Sequence, residues 1–60
     1  MTEEQLKRIW DYLFHIDIEY RQLEKAVAGQ EIDQKQALLY MKTTAKDMVR
    51  YLQRIEKGLE

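Results

Sequence analysis

His15 is the only histidine in this chain, and it stands four residues after Asp11 and four before Glu19. On a helix, residues at i, i+4 and i+8 share one face, so these three could supply part of a metal's ligand set. Three ligands on an open face nonetheless make an incomplete site. The inward-pointing Glu-x-x-His pair of di-metal helical bundles does not occur either. The trio therefore reads as a solvated face turned away from the packing surface, and no metal or cofactor is expected. Serine and cysteine are absent, and the two glycines, Gly29 and Gly58, are isolated. That leaves neither an activated serine or cysteine nucleophile nor a glycine-rich loop to cradle phosphate. Enzymatic catalysis is not expected.

The other group with chemical potential is basic. Lys42, Lys46, Arg50 and Arg54 recur every four residues, forming a row of like charge along one helix. Such neighbours repel by about 0.2–0.5 kcal/mol per pair, so the row invites an explanation. A structural one exists: Asp17 could face Lys42, Asp47 neighbours Arg50, and Arg54 with Lys57 suits a helix C-terminus. The functional alternative is contact with the phosphate backbone of RNA or DNA, with the row doubled by dimerisation. The net charge of −1 and the lack of a nucleic-acid-binding motif weigh against it.

Sixty residues bound the elements that could position these groups. A chain this short buries only about 60% of the surface it exposes when unfolded, and it usually needs a disulfide, a metal or oligomerisation to be stable. Without cysteine the first is excluded, and a reducing compartment fits. No apolar run approaches the ~20 residues of a membrane-spanning helix, and no export signal is recognisable, so a cytoplasmic location is expected. Residues 1–28 carry a net charge of −2 and residues 33–60 carry +2. Halves of opposite sign favour association with each other.

The punctuation predicts a single helical-hairpin domain over residues 1–60, all-α, with helix 1 over about 3–28, a turn at 29–33 and helix 2 over about 34–57. Thr2 with Gln5 is a capping box, and Asp33 with Gln36 is an acidic version of that signal. Gly29 and Gly58 suit helix C-termini. One stretch competes: FHIDIEY, residues 14–20, alternates apolar and polar as a strand would. The helical repeat Leu6, Ile9, Leu13, Ile16, Tyr20, Leu23, Val27 runs through it uninterrupted, and the longer period takes precedence.

Helix 2 repeats this spacing at Leu38, Met41, Ala45, Met48, Leu52, Ile55 and Leu59. Folding one helix onto the other predicts a coiled-coil seam of apolar layers, from Leu6 against Ile55 through Leu13 against Met48 to Leu23 against Leu38. On one edge this register sets Asp17 against Lys42, Glu24 against Lys35 and Trp10 against Val49. On the other it sets Tyr12 against Tyr51 and Ala26 against Ala37.

Trp10, Phe14 and Ile18 then form a second apolar row that this seam leaves uncovered, with Leu39 and Val49 on the same side of helix 2. A narrow helix–helix strip cannot bury both rows. The expected solution is a homodimer, a four-helix bundle with the extra row in the subunit interface. A groove-binding face for another protein is the alternative, since clustered aromatic anchors resemble a binding hot spot. In length and heptad layout the chain resembles the RNA-binding helical-hairpin dimers of the Rop type. That likeness implies that such hairpins can bind RNA, and no residue roles are carried across. The function expected is a non-enzymatic protein-protein interaction or regulatory module presenting a helical surface to a macromolecular partner. A small nucleic-acid-binding dimer is the alternative.

Overall fold

The computed structural model describes residues 1–60 and consists of two helices, α1 (Glu3–Val27) and α2 (Gln34–Glu56), packed against each other as an antiparallel hairpin. The strand-like stretch at 14–20 is helical throughout. Each helix is bounded where local chemistry requires it. The Thr2 backbone N–H donates to Gln5 Oε1 at 2.8 Å while the Gln5 N–H donates to Thr2 Oγ1 at 3.1 Å, a complete capping box. At α2 the cap is simpler than the sequence implied. Asp33 Oδ1 accepts from the Lys35 N–H at 2.9 Å, but Gln36 does not return the bond. Asp33 caps the second helix alone.

Both helices end in the same way. Gly29, at φ +92°, donates its N–H to the Ala26 carbonyl, and Gln30 donates to that of Lys25. Gly58, at φ +75°, and Leu59 repeat the pattern on Ile55 and Arg54. These are Schellman closures, which require one residue in the left-handed region.

The seam is where the structure departs from the expected packing. The buried and half-buried positions of α1 are Gln5, Ile9, Tyr12, Ile16, Glu19, Leu23 and Ala26. Those of α2 are Ala37, Met41, Thr44, Ala45, Met48, Tyr51 and Ile55. Ile9, Ile16 and Leu23 were expected there, as were Met41, Ala45, Met48 and Ile55. Leu6, Leu13, Tyr20, Val27, Leu38, Leu52 and Leu59 were also expected there, and all are exposed. Tyr12 with Tyr51 and Ala26 with Ala37, placed by the sequence at an edge, occupy the centre. The seam is rotated by one row on each helix.

Two contacts account for the rotation. Ala26 and Ala37, 5% and 4% exposed, flank the turn and let the backbones approach where the short connection must join them. The Tyr12 and Tyr51 rings lie 5.9 Å apart at 44°, and aromatic rings bring more apolar area into such a seam than most side chains. Only three of the 60 residues are buried, and the hairpin measures 44 × 18 × 9 Å. It is a single layer of helices with no interior of its own.

Candidate interaction surface

The rotated seam gives the hairpin two unlike faces. Leu6, Leu13, Tyr20 and Val27 each follow a seam residue of α1 by one position, about 100° around the helix. Leu38, Ala45 and Leu52 stand in the same relation to α2, and Leu59 continues their row past its end. In an antiparallel pair of right-handed helices, flanks displaced in the same sense look out of the same side. One broad face is therefore lined by leucines, a valine, an alanine and a tyrosine, and all but Ala45 are exposed.

The opposite face is polar. Arg8, Asp47 and Arg54 meet there in one depression beside Tyr12 and Tyr51. The Arg8 guanidinium stacks over the Tyr51 ring at 4.4 Å from its centroid. Its pKa is raised, chiefly by the neighbouring Tyr12 side chain. Glu60 returns to this face as well, pairing with Arg54 at 2.9 Å and accepting a bond from Gln5 on its backbone oxygen at 3.3 Å.

Among the residues singled out from sequence, Trp10 and Phe14 are brought together, their rings stacked 5.3 Å apart at 12°. Trp10, Phe14, Ile18, Leu39 and Val49 are all exposed. They do not form one patch. Trp10 and Val49 border the apolar face, each one turn beyond one of its residues (Leu6 and Ala45). Phe14 and Leu39 point away from the seam on the outer backs of the two helices, and Ile18 lies further round, towards the polar side.

The basic row is divided too. Arg54 is held by Glu60, whereas Lys42, Lys46 and Arg50 form no salt bridge and line one shallow depression with Ala45 and Val49. The expected ion pairs across the seam, Asp17 with Lys42 and Glu24 with Lys35, do not form. Asp17 pairs instead with Arg21 of its own helix at 3.2 Å. The physical reason is the rotation: these side chains now sit on the outer shoulders of the hairpin, too far apart to meet across it.

The Asp11, His15, Glu19 trio also separates. Asp11 and His15 are exposed, but Glu19 is turned into the seam, where its Oε2 accepts from Thr44 Oγ1 at 2.9 Å. This corrects the reading of all three as one solvated face. No group of three histidine or carboxylate side chains is placed to share a metal ion. No helix is long and apolar enough to cross a membrane.

Sequence reasoning missed the significance of the Leu6, Leu13, Tyr20, Val27 row as a surface. The signal was present: α1 carries three adjacent rows at heptad spacing, and the most apolar of them was assigned to the seam by default. Comparison with protein-family models, curated proteins and solved structures finds no match to this chain.

Proposed function

We propose that this chain is a non-enzymatic interaction module that works as a homodimer, two hairpins apposed through their apolar faces into a four-helix bundle. The observation that carries the reading is the one-sided face of Leu6, Leu13, Tyr20, Val27, Leu38 and Leu52, exposed on a molecule with only three buried residues. A broad side of 44 by 18 Å is comparable to the ~800 Å² each partner contributes to a standard stable interface. An apolar face of that size on a monomer would be an aggregation liability. In the dimer Trp10 and Val49 border the interface, while Phe14, Ile18 and Leu39 remain on outer helical surfaces available to a further macromolecular partner. A cytoplasmic setting suits a module that needs no disulfide.

The test is molar mass by sedimentation equilibrium between micromolar and millimolar concentration, for the native chain and for Leu13→Glu and Leu52→Glu. The expected result is a dimer that either glutamate converts to monomer, since both side chains lie outside the intrachain seam. A native chain that stays monomeric at millimolar concentration overturns the reading.

A second reading is favoured by one specific observation, the unpaired Lys42, Lys46 and Arg50 around a common depression. These cations suit the phosphate backbone of RNA or DNA. Titration of both nucleic acids at low salt, with Lys46→Gln/Arg50→Gln as control, tests it. Binding that weakens with salt and is lost in the double variant supports this reading, and no binding at low salt removes it.

A further inference from the structure

The apolar face has charged shoulders, and their signs differ between the helices. One turn beyond Leu6, Leu13 and Tyr20 stand Trp10, Asp17 and Glu24, with Glu3 one heptad before Trp10. One turn beyond Leu38, Ala45 and Leu52 stand Lys42, Val49 and Glu56, with Lys35 one heptad before Lys42. The α1 shoulder is acidic and the α2 shoulder is basic over the half nearer the turn. Within the hairpin this complementarity is unused. The two shoulders lie on opposite edges of the face, and neither Glu24 nor Lys42 takes part in a salt bridge.

We propose that the second copy lies with its two-fold axis parallel to the helices, so that α1 of each hairpin packs over α2 of the other and both turns sit at one end of the bundle. This rests on the dimer proposed above. A two-fold in that direction keeps every residue at its own height. Heights are set by two observed contacts across the seam, Tyr12 with Tyr51 and Glu19 with Thr44. Glu24 is five residues past Glu19 and so level with residue 39, which leaves Lys42 of the partner subunit about 4.5 Å away along the axis. A lysine side chain spans that offset.

The apolar rows match under the same operation. Leu13 is level with residue 50 and meets Leu52 of the partner subunit. Val27 meets the partner's Leu38, and the large Tyr20 is set against the partner's small Ala45. Alternation of large and small side chains across facing positions is what a close-packed layer needs.

The competing arrangement has its two-fold across the helices and stacks α1 on α1 in opposite directions. It brings Glu3 against Glu24 of the partner subunit, and its one favourable shoulder pair is Lys42 with Glu56 of the partner subunit. The like-charged Glu3 and Glu24 offset that pair, whereas the two-fold parallel to the helices forms the Glu24–Lys42 pairs without them.

The absence of cysteine permits a direct measurement. Gln30→Cys in the exposed turn carries a nitroxide, and pulsed dipolar spectroscopy reads the distance between the two labels of a dimer. The expected distance is on the order of 10–25 Å, set by helix spacings of 8–10 Å. A distance near the 44 Å length of the hairpin overturns the arrangement. Sedimentation of the labelled protein separates the two failures: a monomer removes the dimer itself, whereas a dimer with distant turns removes only this packing. As a second variant set, Lys42→Glu and Glu24→Lys should each weaken dimerisation about threefold to tenfold, in line with ~0.2–1 kcal/mol per exposed pair and two pairs per dimer. The double reversal should recover most of the loss. A double variant no tighter than the weaker single one overturns the pairing.

Discussion

Glu19 and Thr44 face each other in the middle of an otherwise largely apolar seam, joined by a 2.9 Å hydrogen bond from the threonine hydroxyl to one carboxylate oxygen. The other carboxylate oxygen, Oε1, is buried and has no partner. A carboxylate so placed is half satisfied, and buried polar groups without partners cost about 1–3 kcal/mol. The layer thus holds Glu19 level with Thr44 while leaving one carboxylate oxygen without a partner.

That relationship predicts opposite signs for two substitutions. Thr44→Val alone strands the carboxylate and should destabilise the fold by about 1–2 kcal/mol. Glu19→Leu combined with Thr44→Val removes both groups and should stabilise it by about 1 kcal/mol or more. Urea unfolding at a single fixed protein concentration reads both. A double variant less stable than the native chain would show that the polar layer is not a burden.

The rotated seam predicts different behaviour for adjacent residues. Ala37 is buried against the other helix beside the turn, so Ala37→Leu should overpack it and cost about 1–3 kcal/mol. Leu38 is exposed in the hairpin, so Leu38→Ala should leave helix content unchanged while weakening the proposed dimer. Circular dichroism at low concentration and sedimentation at high concentration distinguish the two. The reverse pattern would restore the seam first expected from the heptad layout.

Gly29 is held at φ +92°, and a β-carbon there would meet nothing within 4 Å. Its replacement by alanine is therefore opposed by backbone conformation alone, by about 1–2 kcal/mol. Gly29→Ala should lower the thermal midpoint measurably, while Gln30→Ala, one residue on, should not.

The N-cap of α1 makes the cleanest local prediction. Thr2→Ala removes the acceptor for the Gln5 N–H and should cost about 0.5–2 kcal/mol. Faster amide exchange confined to the first turn of α1 would be its signature, and unchanged exchange at Gln5 would contradict the capping box.

The local chemistry of this chain was legible without its fold. Thr2 and Gln5 are the ends of one four-residue stretch, so their reciprocal bonds depend on little else, and the same local character holds for Asp33, Gly29 and Gly58. Helix boundaries, the turn and the antiparallel hairpin followed from them. The outward placement of Phe14 and Leu39 was legible too, because both point away from either candidate seam and are exposed whichever forms.

What the sequence left open was the choice between two rows on each helix. Ile9, Ile16 and Leu23 belong to both candidate seams, and the neighbours completing them are either Leu6, Leu13, Tyr20 and Val27 or Gln5, Tyr12, Glu19 and Ala26. Hydrophobicity favours the first set, and a one-dimensional pattern has no other criterion. The tertiary structure selects the second, because two alanines permit close approach at the turn and two tyrosines pair across the middle. Those are relations between helices, fixed only when both backbones are in place. The ion pairs first expected from Asp17 and Glu24, and the solvated position first expected for Glu19, both depended on that rotation, and for this reason they were settled by packing and not by spacing.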